Sequence, residues 1–123
     1  MMYRTAYQGQ EYRQQEIMGA SPIRLVIMAY DMAIRGCEKK DFQTATKAIS
    51  ALRDALDFDY ATVSVGLFRL YQYCLDCLRQ GDFQAAQNTL TELREAWVTA
   101  EKRLTSGATT RPAMRTSVAQ VAG

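Results

Sequence analysis

From Ser21 to Leu104 the apolar positions recur every three or four residues, the spacing of helices with one covered face. Four blocks can be separated. The first opens at Ser21-Pro22, where Ser can cap a helix and Pro suits its first position. It runs to about Cys37 and is apolar nearly all round. Ile23, Val26, Ile27, Tyr30, Ile34 and Cys37 form one stripe, and Leu25, Met28, Ala29 and Met32 a second. Such a helix must be covered on several sides, by other helices, by the N-terminal segment or by a partner.

Asp41 caps the second block, in which Phe42, Ala45, Ile49, Leu52 and Leu56 follow a bundle seam. Asp57-Phe58-Asp59 breaks the period. The third block spans Tyr60 to Gln80, with a predicted stripe of Val63, Leu67, Leu70, Cys74 and Cys77, widened by Phe68, Tyr71, Leu75 and Leu78. Gly81 ends it and Asp82 caps the fourth, whose seam is Phe83, Ala86, Leu90, Leu93, Trp97, Ala100 and Leu104. Four helices with short connections predict an all-α fold, an antiparallel up-down four-helix bundle. Residues 1–20 would form an N-terminal arm, 21–104 the bundle and 105–123 a flexible, disordered tail.

A shift of 41 residues lays 30–57 over 71–98 with eight of 28 positions identical, among them Tyr30/Tyr71, Asp41/Asp82, Phe42/Phe83, Leu52/Leu93 and Arg53/Arg94. The chain reads as two similar helical hairpins packed together. Two capped bundle helices also converge on such a pattern from physics alone.

Composition narrows the function. The 123 residues are 48% hydrophobic and 23% charged, which suits one globular domain. Histidine is absent. That removes the commonest general base and the commonest metal ligand. Residues 21–104 hold 11 Lys/Arg and 11 Asp/Glu, and the excess cations, Arg111 and Arg115, lie in the tail. No basic stripe marks the folded part, so no nucleic-acid partner is expected. No apolar run reaches the ~20 residues of a membrane span, and no membrane insertion is expected. Three cysteines and no signal-like N-terminus point to a reducing, cytoplasmic setting.

The CxxC of Cys74 and Cys77 lies mid-helix without further ligands, so these read as buried structural thiols. Asp57 and Asp59 read as solvated linker acids. No phosphate-binding glycine loop occurs. The chain is therefore not expected to be an enzyme or to need a cofactor.

Aromatic residues carry more information. Tyr71 and Tyr73 are two apart and cannot both enter one seam, so one of them should edge a groove. Together with the over-apolar first helix and the three Tyr of the arm, they suggest an apolar groove that something fills.

Residues Tyr12-RQQEIMG-Ala20-Ser21-Pro22, then Leu25, Met28, Tyr30-Asp31 and Ala33, resemble the opening of the flagellin-export chaperones, the FliS family. Leu70-Tyr71-Gln72-Tyr73 is similar to that family's L-Y-D-Y, and Leu93-Arg94-Glu95-Ala96-Trp97 to its L…A-W ending. The likeness covers about residues 12–100. The stretch from Asp31 to Asp57 is shorter than the family's, and the Gly-Gly-Glu that often opens its third helix is absent.

The resemblance implies a four-helix bundle that holds the disordered C-terminal segment of flagellin in the cytosol. It prevents premature polymerisation, and the complex is handed to flagellar export gate components. Tyr12, with Tyr7 as the alternative, matches the family's arm Tyr. Tyr12 and Ile17 would be arm contacts, and Tyr30, Leu70, Tyr71, Tyr73 and Leu78 groove residues. On that reading Tyr71→Ala should weaken client binding more than the fold. A helical-hairpin adaptor similar to tetratricopeptide repeats is the alternative, although the 41-residue period is not theirs.

Overall fold

The structure, a computed structural model, describes residues 19–106. It contains helices α1 (Pro22–Glu38), α2 (Phe42–Asp54), α3 (Ala61–Arg79) and α4 (Phe83–Thr105), with a 3-10 turn at Phe58–Tyr60 before α3. The chain is an antiparallel up-down four-helix bundle. α1 packs on α2 and α4, and α3 packs on the same two, closing a ring. This closure separates it from an open stack of repeats, in which each unit touches only its sequence neighbours.

The helix starts have local causes. Ser21, Asp41 and Asp82 each accept a bond from the backbone N–H three residues on, at Arg24, Thr44 and Ala85. The Thr44 hydroxyl also donates to Asp41 at 2.7 Å. These bonds hold the Asp41 carboxyl below the usual carboxylate range, the Thr44 hydroxyl contributing most.

Both hairpins turn by the same device. The N–H of Asp41 bonds the Gly36 carbonyl and that of Lys40 the Cys37 carbonyl. In the second hairpin the N–H of Asp82 bonds Cys77 and that of Gly81 bonds Leu78. This is the Schellman ending, which needs a left-handed residue after the cap. Gly81 supplies it at φ 77°; in the first hairpin Lys40 adopts φ 54°. A side chain there is strained where glycine is not.

The repeat is physical as well as textual. Arg94 on α4 donates to Asp31 on α1 at 2.5 Å, and Arg53 on α2 donates to Gln72 on α3 at 3.0 Å. A shift of 41 residues converts one contact into the other. The two hairpins are thus related by an approximate two-fold axis, and Tyr30 of α1 and Tyr71 of α3 meet on it. Their hydroxyls are 2.5 Å apart and their rings tilt at 57° with centroids 6.2 Å apart. The Trp97 indole N–H donates to the Tyr30 hydroxyl at 3.2 Å. The position equivalent to Trp97 is Leu56, which is buried but brings no donor.

Around this trio sits one core. Ile23, Val26, Ile27, Ile49, Leu52, Leu78 and Leu90 fill it, with Cys37, Cys74 and Cys77 as small apolar thiols. A predicted seam position and a predicted linker acid differ. Phe42 is exposed at the start of α2. Asp57 is buried and caps the 3-10 turn by accepting from the Asp59 N–H at 3.0 Å, so it is no solvated linker acid.

Lys40→Gly should raise the unfolding free energy by about 0.5–1 kcal/mol, because glycine relieves the left-handed strain. Urea unfolding of the two chains measures it. Tyr71→Phe should cost about 1–2 kcal/mol by stranding buried polar atoms, and Tyr71→Ala about 3–5 kcal/mol by opening a cavity. The same titration orders the three proteins.

Candidate functional site

The outer side of α3 departs from its predicted stripe. Ser64 is fully buried and its hydroxyl donates to the Asp57 carbonyl at 2.6 Å. Tyr71 is drawn inward by Tyr30. Together they rotate α3 so that Ser64, Leu67, Tyr71, Cys74, Leu75 and Leu78 face the core. Val63 and Leu70, expected in the seam, are left 54% and 39% exposed. Tyr73 is 49% exposed. Of the two tyrosines, one enters the core and one stays outside, as the two-residue separation requires.

Val63, Gly66, Leu70, Tyr73 and Cys77 are spaced three, four, three and four residues apart. They therefore form a second seam along α3 beside its core face. Cys77 closes one end and is buried; the other four are exposed. Nothing lies within 4 Å of where a Gly66 Cβ would stand, so the middle of the seam is open. On the far flank Phe58 and Phe68 meet edge to face with centroids 6.3 Å apart, and Val65 is exposed near them in sequence. The polar ridge between the two flanks carries Thr62, Arg69 and Asp76.

The equivalent stripe on α1 has a different fate. Gly66 corresponds to Leu25, and Leu70 to Ala29; both α1 residues are buried. One cause lies further along the stripe, at Gly36. A Cβ added to Gly36 would stand 2.7 Å from the Ala45 backbone nitrogen, so α1 and α2 are in near contact there. Its counterpart Cys77 has a side chain, and α4 cannot approach α3 as closely. The second hairpin is the wider one, and its α3 flank stays uncovered.

Arg94 and Glu101 mark the α4 flank that meets α1, where Glu101 also pairs with Arg24. The opposite α4 flank carries Ala85, Thr89 and Ala96, with the exposed Glu92 in the same row between the last two.

The residues expected to bind a partner are thus divided. Leu70 and Tyr73 share the open seam. Tyr30, Tyr71 and Leu78 lie in the core and offer no surface; this corrects their reading as groove residues, because the tyrosine pair is what joins the two hairpins. Tyr12 and Ile17 lie outside the described residues. Val63, Gly66 and the Phe58–Phe68 pair were not singled out for binding, and only the rotation of α3 exposes them.

Among the described residues no group of three or more His, Cys, Asp or Glu is placed to hold a metal ion. No described helix is long and apolar enough to cross a membrane. Burial pushes the Cys37 thiol up to about 11, with Glu38 adding to it, and the Cys74 thiol up to about 12, with Cys77 and Cys37 adding to it. Burial likewise raises Tyr30 and Tyr71 above the ordinary phenol range, outweighing for Tyr30 the two hydrogen bonds that lower it.

Groups whose folded pKa is raised contribute full stability below their ordinary values and lose it as pH climbs beyond them. The urea midpoint should stay level from neutral pH up to about pH 8.5 and fall above it, the thiols acting first and the tyrosines above about pH 10. A midpoint unchanged at alkaline pH would contradict the buried, neutral state of these groups.

No family model, no curated protein and no solved structure matches the chain.

Proposed function

We propose that the protein is a non-catalytic export chaperone of the flagellin-export type. It would act in the cytoplasm, where it holds an aggregation-prone C-terminal segment of flagellin. The observation that carries this reading is the exposed seam on α3, Val63-Gly66-Leu70-Tyr73, beside a core that is complete without it. An apolar flank at seam spacing favours a helical or extended segment whose own apolar residues recur at three and four. A client disordered when free loses conformational entropy on docking and gains apolar burial along α3. The ordered resemblance of four short motifs supplies the client's identity, and three free, buried cysteines agree with a reducing compartment.

The division of the tyrosines reverses the order expected for Tyr71. In this proposal Tyr71 serves the fold, and Leu70 and Tyr73 serve binding. Titration calorimetry of the full chain with the C-terminal helical segment of flagellin is the test. One-to-one binding with a negative heat-capacity change is expected. Tyr73→Ala and Leu70→Ala should each weaken it about tenfold or more while leaving the urea midpoint nearly unchanged. Tyr71→Phe should lower the midpoint and leave affinity alone. Absence of binding by the folded wild-type chain would overturn the assignment of flagellin as client.

A further inference from the structure

We propose that in the absence of a client two copies of the chain pair through α3, antiparallel and seam to seam. The pairing itself stands on the geometry of α3. That it competes with client binding rests on the function proposed above.

The seam has the register of a two-helix interface. With Val63, Leu70 and Cys77 at one set of core positions and Gly66 and Tyr73 at the other, antiparallel pairing sets Leu70 against Tyr73 of the second copy, and Tyr73 against its Leu70. Gly66 then lies over the Cys77 end of the second copy, where Cys77 itself is buried in its own bundle, and the absent side chain at Gly66 lets the backbones close. The layers from position 66 to position 77 span about 17 Å of helix.

Charge complementarity favours a second copy of the chain in the antiparallel direction. On the solvent side the seam is bordered by Arg69 and Asp76, both exposed, seven residues apart, Asp76 also holding an exposed ion pair with Arg79 of its own helix at 2.6 Å. In an antiparallel pair these border positions face their own kind across the interface, so Arg69 lies near Asp76 of the second copy and Asp76 near its Arg69. The surface is complementary to itself, as a two-fold interface requires. A parallel pair would instead bring Arg69 towards the opposite border, occupied by Leu67 and Cys74, which are buried in their own bundle.

Sedimentation of the full free chain over a range of concentrations tests the pairing without any client. The wild type is expected to pass from monomer to dimer mass as concentration rises. Leu70→Glu should abolish the dimer while circular dichroism stays helical. Arg69→Asp places like charges at both border contacts and should weaken the dimer about tenfold. The double variant Arg69→Asp with Asp76→Arg restores opposite charges and should recover it. A wild type that stays monomeric at every concentration would overturn the proposal, including the case in which the chain's own N-terminal segment shields the seam. So would a dimer indifferent to Leu70→Glu, or a double variant no better than the single one. Added flagellin segment should convert the dimer to a one-to-one complex. A ternary complex with the dimer intact would sink the competition and leave the pairing in place.

Discussion

The fold depends on a contact at its centre, where the hydroxyls of Tyr30 and Tyr71 meet across the bundle diagonal and the Trp97 indole donates to the first of them. Buried phenol oxygens are costly unless they find partners, and here they find each other. The contact ties α1 to α3, which are not neighbours in the ring, and brings in α4 through Trp97. A core made only of aliphatic side chains would tolerate α3 sliding or turning by part of a residue. Three polar atoms that must coincide do not. The rotation of α3 follows from this, and with it the choice of which residues face solvent.

That rotation also marks where reading the chain succeeded and where it stopped. Caps at Ser21, Asp41 and Asp82 and the break at Asp57 are local signals, and the helices begin where those residues stand. The equivalence of the two hairpins was visible in Tyr30/Tyr71 and Arg53/Arg94. Which of two overlapping stripes on α3 would be buried was not. Val63, Leu67 and Leu70 are the more apolar choice, and hydrophobic periodicity selects them. The structure prefers Ser64 and Tyr71 because each satisfies a polar atom against a residue distant in sequence or a turn that had yet to form. Phe42 misleads for a related reason: it opens α2 at the bundle's end, where one side has nothing to pack against.

The candidate surface was correspondingly half legible. The two-residue offset of Tyr71 and Tyr73 says that one of them edges a groove without saying which, and Leu70 enters the groove set through the family resemblance while periodicity assigns it to the core stripe. The remainder is a product of packing. Gly66 reads as a weakness in a helix until its neighbours are seen to be exposed and apolar, and then it becomes the point where another backbone can come close. Arg69 and Asp76 read as ordinary solvated residues until the seam beside them gives their seven-residue separation a meaning.

The two hairpins are built alike but fastened unequally. Gly36 lets α1 and α2 touch backbone to backbone, whereas Cys77 holds α3 and α4 further apart, and the first turn carries a strained lysine where the second has a relaxed glycine. Cohesion is therefore concentrated in one half of the molecule and ease of turning in the other. The half that exposes the apolar seam is thus also the half whose two helices pack less closely.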